Sequence, residues 1–427
     1  MNNFSKTTLN YSATMDTAIS ITRNDKYSFL ESIVLKAVRN MKKGKLHVTM
    51  PDGKHLHFGE GGGVTANISI SNASFFKKCV LYGDIGFAES YIDGDWNTTS
   101  LKDVISWFIF NMDSNPVISG AGTSSFLTNI FQKINRWYHI SRKNTIEGSK
   151  KNISEHYDLG NDFYELFLDR TMTYSSGIFR TEETTLEESQ IEKYDRICRL
   201  LKLKSTDHLL EIGSGWGGFS SHAANNYGCK ITTVTISDEQ YKYAKKRFVT
   251  EGIDDKVNIL LEDYRNIEGK FDKIVSIEML EAVGHQFMPQ YFSKCNELLK
   301  ENGLLALQVI TSPDARYDQM RKGVDFIQKH IFPGSLLPSV ARINQCVNDA
   351  SNLNLYDIKD IGIDYAKTLN IWCEEFNKKK EQILALGMDQ RFIRKWNYYF
   401  DYCEAAFQMR NISVMQLVYT RPNNFEF

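Results

Sequence analysis

HLLEIGSGWGGFS, residues His208–Ser220, decides the fold. The apolar run HLLEI reads as a buried strand, Gly213-Ser214-Gly215-Trp216-Gly217-Gly218 as a tight turn, and the residues after it as a helix. Glycines allow such a turn and let the backbone approach a ligand closely, with helix-terminal N–H groups free to bind it. Outward from this point the pattern is regular. A helix from Glu187 to Lys202 precedes it, and KITTVTIS, a helix, VNILLED, FDKIVSIEM and LLALQVI follow. Strands alternating with helices at this spacing imply a parallel sheet covered on both faces. The expected class is therefore α/β, a doubly wound, mostly parallel, Rossmann-like sheet. From Asp318 to Arg410 the alternation gives way to a helical, aromatic-rich insertion (FIQKHIF, LNIWCEEF, KWNYYFDYCEAAF), read as a lid, before a last strand SVMQLVYTR.

The order of residues around the turn narrows its ligand. A dinucleotide site wants its last glycine before a helix and an acid closing the second strand, where it holds a ribose. Here the acid, Glu211, precedes the first glycine, and the second strand ends Thr235-Ile236-Ser237-Asp238-Glu239-Gln240. That E-x-G-x-G order favours S-adenosylmethionine over a nicotinamide cofactor, as in a class I methyltransferase. The third strand ends Leu261-Glu262-Asp263-Tyr264-Arg265, where a carboxylate can accept from an adenine amine and Tyr264 can stack on the base.

With 427 residues, two domains are expected. Residues 1–130 read as a smaller α+β module. A helix lies over 27–40, a β-hairpin turns at Pro51-Asp52-Gly53, and two helical segments flank a turn at Asp93-Gly94. Residues 131–151 are a basic linker in which Lys133, Arg136, Arg142, Lys143, Lys150 and Lys151 face one acid, Glu147. It is either a solvated connector or a surface for phospholipid headgroups, where each cation is worth about 1 kcal/mol near an anionic membrane; the salt sensitivity of liposome binding separates the two. Residues 152–427 are the catalytic domain. Lys plus Arg number 51 against 52 for Asp plus Glu, a net charge of −1 that offers no drive toward nucleic acid. No apolar run approaches the roughly 20 residues that span a bilayer, and no secretory signal opens the chain. Seven scattered cysteines without a CxxC pair argue against zinc or a disulfide framework. A cytoplasmic protein is expected.

ISEHYDLGNDFYELFLDRTMTYSSGIF, LLEIGSGWGGFS, VTISDEQYKYAKKR, FDKIVSIEMLEAVG and RNISVMQLVYTRP, in this order over about residues 150–422, together resemble the cyclopropane fatty acid synthase family. The segment YIDGDW is similar to that family's lipid-associated N-terminal domain. The resemblance implies methyl transfer from S-adenosylmethionine to the double bond of an unsaturated phospholipid acyl chain, followed by proton loss. It implies that the cofactor meets Tyr174 and Ser175, the turn Glu211 to Gly217 (Glu211, Gly213, Ser214, Gly215, Trp216, Gly217), Thr235, Gln240, Asp263 and Tyr264. HYDLGND, with Tyr157, would close over the methionine end; the same segment also reads as a helix start capped by Asp158 and Asn161. A bound bicarbonate, the family's base, would be held by Glu281, Tyr365, the Ile310 backbone, and Ser176 and Gln308 at positions where relatives carry Cys and His. Because the cysteine acts through its backbone amide, serine is tolerated; glutamine keeps a donor but cannot take up a proton. Cys403 occupies the place of a cysteine once considered a nucleophile, a thiolate this chemistry does not need, and is read as packing. Peripheral membrane contact and a homodimer are implied as well. The competing products are a methyl-branched chain from the same cation, a methylated small molecule, or none, in a silent lipid-binding paralogue.

Overall fold

The computed structural model describes residues 27–112, 148 and 159–425. The basic segment from Lys133 to Lys151, Gly148 apart, lies outside them, as do His156, Tyr157 and Asp158. The N-terminal module begins with the helix Phe29–Arg39, whose Ser28 and Glu31 form a reciprocal capping box. Three strands follow, β1 (Gly44–Thr49), β2 (His55–Gly61) and β3 (Thr65–Ile70), with a short β4 (Trp96–Asn97). β1 and β2 form the expected hairpin. The sheet order is β2-β1-β3-β4, and β3 runs parallel to β1. The helix Ser74–Ile92 kinks at Gly83, whose φ of 60° an L side chain rarely adopts.

The larger sheet has, in order across it, β10 (Asn354–Asp360), β11 (Ser413–Thr420), β9 (Leu299–Thr311), β8 (Phe271–Ile277), β5 (His208–Ile212), β6 (Lys230–Thr235) and β7 (Val257–Leu261). β5, β6, β7, β8 and β9 are parallel. β11 is antiparallel to both β9 and β10. This is the class I methyltransferase arrangement, α/β as the alternation of apolar runs implies. The chain moves from β5 outward through β6 and β7, then returns to place β8 on the other side of β5. Ligands of such sheets bind outside the carboxyl ends of strands at this reversal. The glycine turn follows β5 and the segment Glu278-Met279-Leu280-Glu281 follows β8, so topology brings them together.

The insertion differs from its reading in the sequence. It is not helical throughout 318–410: β10 (Asn354–Asp360) divides it and forms the sheet edge beside β11. Its side chains are mostly exposed, so LYDIKD lacks the alternation by which a half-buried strand is recognised. The lid proper is the pair of helices Gly362–Lys378 and Gln390–Gln408. Trp372, Phe376, Trp396 and Phe400 fill their interior and share one core with the N-terminal module. Arg394 fastens the two, donating to the carbonyls of Tyr91 (2.6 Å) and Trp96 (2.9 Å), and Lys102 pairs with Glu404 at 3.0 Å. No helix among the described residues is long and apolar enough to cross a membrane.

Candidate active site

A cavity of about 1610 Å³ runs from the glycine turn, past the end of β8 and beneath the lid, to the helix Phe29–Arg39. Single-ligand pockets usually occupy about 300–1,000 Å³, so there is room for two ligands end to end. Tyr174, Ser175, Glu211, Gly213, Ser214, Gly215, Trp216, Thr235, Gln240, Asp263, Tyr264, Glu281, Ile310, Tyr365 and Cys403 all contribute to its wall. Ser176, Gln308 and Gly217 are not part of that wall.

At the glycine end, Gly213, Gly215 and Gly217 have φ of 96°, 51° and 86°. Gly217 is the N-cap of the helix Gly218–Tyr227 and supplies no side chain to its N–H groups. A Cβ on Gly217 would lie 2.8 Å from the Phe248 ring, so this glycine faces protein and sets the shape of the turn. Glu211 sits behind the turn, where its Oε2 accepts from Ser220 Oγ (2.5 Å) and Thr233 Oγ1 (2.6 Å), and burial pushes its carboxyl up to about 7. Thr235 donates to Gln240 at 2.9 Å. Asp263 already grips the Arg265 guanidinium at 2.8 and 2.7 Å, so an adenine amine would share that carboxylate. Tyr264 lies edge-on to Tyr291, with Arg265 over its ring. A cradle without side chains at one end and a polar pair and carboxylate at the other fit S-adenosylmethionine. Asn161 is not a cap: Gly160 precedes the helix Asn161–Tyr164, and Asn161 Oδ1 accepts from the Trp216 indole at 2.7 Å.

Between the glycine turn and the lid stand two carboxyl groups. Glu281 Oε1 accepts from the Ile310 N–H at 2.5 Å, while Oε2 is buried without a partner. Burial, reinforced by the charge of Glu278, pushes Glu281 up to about 8. Glu278 has the opposite surroundings, for every one of its partners donates. The Ser176 N–H (2.9 Å), Gln308 Nε2 (2.7 Å) and the Tyr365 hydroxyl all end on its carboxylate. Burial raises this carboxyl too, but Lys193 and the three donors oppose it, and donors to the charged form favour that form. Of the two, Glu278 is the ionised one. Cys403 belongs to the cavity wall, and burial pushes its thiol up, away from the thiolate. The Ser176 hydroxyl donates to the Gly177 carbonyl at 3.0 Å, and it is the backbone amide that meets Glu278.

An unfolded glutamate loses its proton near 4.5, whereas folded Glu281 keeps it to about 8. Between these values the folded state holds one more proton than the unfolded, so stability falls as pH rises through the window. Glu281→Gln has no proton to lose. Its stability relative to wild type should rise by about 1.4 kcal/mol per pH unit across the window and level off above it. Parallel denaturant curves at several pH values measure this, and a pH-independent difference would refute a neutral Glu281.

Reading the sequence missed Glu278, Lys193 and the residues behind them. Lys193 is fully buried on the helix Leu186–Leu200 and donates to Ser175 Oγ (2.7 Å) and Gln190 Oε1 (2.5 Å). Burial pulls it down to about 7, against the charges of Glu278 and Asp169. A relay fixes Gln308: Arg196 donates to Gln416 (2.7 Å), Gln416 to Gln308 (2.9 Å), and Gln308 to Glu278. Two signals were present. Gln190, Lys193, Tyr194 and Ile197 share one helical stripe, where a lysine is out of place unless paired. Glu278 directly follows a parallel strand, on the ligand side of the sheet.

Residues 144–417 match the family described as mycolic acid cyclopropane synthetase. The chain is 36% identical over 347 residues to tuberculostearic acid methyltransferase UfaA1 of Mycobacterium tuberculosis, covering 80% of this chain and 79% of that protein. It is 35% identical over 364 residues to the cyclopropane-fatty-acyl-phospholipid synthase of Escherichia coli K12, covering 84% and 89%. Among solved structures it is similar to mycolic acid cyclopropane synthase CmaA1 complexed with SAH and CTAB, with a TM-score of 0.59 and 29% identity over 64% of this chain and 98% of that one. The chain belongs to the mycolic acid cyclopropane synthetase family and is an S-adenosylmethionine-dependent methyltransferase of the cyclopropane synthase type.

Proposed function

We propose that this enzyme transfers the methyl carbon of S-adenosylmethionine to the double bond of an unsaturated acyl chain carried by a phospholipid, and that proton loss then closes a cyclopropane ring. The observation that carries this reading is the continuity of the cavity. Its polar end is the glycine turn, and its far end is apolar, lined by Ile33, Val34, Phe76 and Ile85 of the N-terminal module. An isolated alkene offers nothing to hydrogen-bond, so only apolar walls can hold it in line with the methyl group. Bound S-adenosylmethionine supplies an electrophilic methyl group. The residues of this chain do the rest. Tyr174 and Tyr399, whose hydroxyls are joined by a 3.0 Å hydrogen bond donated by Tyr174, both line the cavity, where aromatic faces can stabilise positive charge. The buried Glu278, Glu281 and Tyr365 hold or receive the proton. Phe29 and Ile33 are exposed on the helix that ends the cavity, which supports entry of the chain from a membrane surface by peripheral contact.

A second reading ends the same cation by proton loss without ring closure, as an unsaturated methyl- or methylene-branched chain. Near-equal identity to the tuberculostearic acid methyltransferase and the phospholipid synthase supports it. One experiment tests both. Incubation of the purified chain with methyl-labelled S-adenosylmethionine and vesicles of a cis-unsaturated phospholipid should give labelled acyl chains one carbon heavier. Derivatisation before mass spectrometry distinguishes ring from branch. Absence of label from every acyl chain would overturn the proposal.

A further inference from the structure

The need for a base rests on the proposed function, in which an alkene is methylated and a proton then lost. The resemblance places a free bicarbonate on Ser176, Gln308, Tyr365, Glu281 and the Ile310 N–H as the acceptor of that proton. Those groups are already committed. The Ser176 N–H, Gln308 Nε2 and Tyr365 hydroxyl converge on Glu278, and the Ile310 N–H on Glu281. A second anion would have to pull three donors from a carboxylate and lie beside its charge, away from bulk water, which is unfavourable on both counts. The residues present do not fit bicarbonate. We infer that the Glu278 side chain takes the place of the free anion and is itself the base that removes the proton.

Independent observations agree. Glu278 has φ of 49°, a left-handed backbone that a non-glycine residue keeps only where the surroundings hold it, and such residues gather at functional sites. Its backbone N–H donates to the Gln308 carbonyl at 2.7 Å while its side chain accepts from the Gln308 amide, so one residue fixes both ends of it. The next residue, Met279, packs against Gly213, where a Cβ would lie 3.3 Å from Met279 Cγ. Glu278 is thus one residue from the glycine turn, in the wall of the cavity, with buried Lys193 as its counter-charge. In the step, the alkene electron pair bonds to the methyl carbon as the carbon–sulfur bond breaks and leaves its pair on sulfur. A C–H bond of the new methyl group then breaks. The proton passes to a Glu278 oxygen, and the electron pair closes the ring or forms an exocyclic double bond.

The test compares purified full-length wild type, Glu278→Gln and Glu278→Gly on cis-unsaturated phospholipid vesicles in carbon-dioxide-depleted buffer, with and without added bicarbonate. Wild type should be fully active without bicarbonate and indifferent to it. Glu278→Gln should lose at least about a hundredfold in turnover while binding S-adenosylmethionine normally. Glu278→Gly relaxes the left-handed backbone and empties the donor cluster, so bicarbonate should restore activity to it alone. A wild type that requires bicarbonate, or a fully active Glu278→Gln, overturns the inference. Should wild type label no lipid, the proposed function fails, and thermal unfolding still decides this point. Bicarbonate should raise the Tm of Glu278→Gly and not that of wild type; stabilisation of both, or of neither, overturns the inference.

Discussion

Gly217→Val should abolish S-adenosylmethionine binding and lower the unfolding midpoint by at least about 5 °C. Two costs add at this position. With φ of 86°, the backbone lies in a region where a side chain costs about 1–2 kcal/mol. The new Cβ would also meet Phe248 Cε1 and Cζ at 2.8 Å and the Ala244 Cβ at 3.1 Å, and both neighbours are buried on the helix Asp238–Thr250. Overpacking of this kind costs about 1–3 kcal/mol more. The clash can be relieved only by moving the turn outward, into the space the methionine end must occupy, because the Gly213 and Ser214 N–H groups are tied to the Val234 carbonyl behind it. Gly252→Ala is the control. It too has positive φ, 67°, but nothing lies within 4 Å of the added Cβ, so it should cost stability without changing cofactor affinity. Equilibrium dialysis with labelled cofactor and a thermal melt read the two effects separately. Normal affinity in Gly217→Val would show that the turn does not hold the cofactor.

The contrast between Gly217 and Glu278 explains how far the sequence could be read. The sheet was legible because buried parallel strands are continuous apolar runs and the turn after β5 needs glycine, both local properties. β10 was not legible, because an exposed edge strand takes its hydrogen bonds from β11 and leaves no pattern of burial in its own residues. Glu211 was recognised by position, yet it serves as a core carboxyl held by Ser220 and Thr233 rather than one aimed freely at a ligand. Ser176 and Gln308 stood out only as departures from a family pattern. That they are two of three donors to a single carboxylate is a long-range fact: Ser176 precedes Glu278 by 102 residues and Gln308 follows it by 30. No local periodicity encodes such convergence. The acid that completes it was visible beside Glu281 in SIEMLEAVG, where one of two neighbouring glutamates drew attention and the other did not.

Lys193→Met should slow turnover at least tenfold at neutral pH and move the pH–rate profile to higher pH. The ammonium is wholly buried, faces Ser175, Gln190, Asp169 and the Tyr194 ring, and is the cation that opposes the effect of burial on Glu278. Methionine preserves length and removes the charge, so the buried Glu278 carboxylate loses the cation that favours its ionised form. Glu278 has a means of escape, which is to take up a proton. Facing only Glu281, Tyr365, Gln308 and the Ser176 N–H, its carboxyl would hold that proton to higher pH than in wild type. A smaller fraction would be ionised at neutral pH, and the rate would recover as pH rises and the proton leaves. Lys193 is thus a positioning residue that acts through charge. If the lysine only filled space, the loss would be equal at every pH and cofactor binding would fall with it. A profile shifted upward in pH with cofactor affinity intact is the outcome that a buried lysine, a strained glutamate and a neutral Glu281 jointly require.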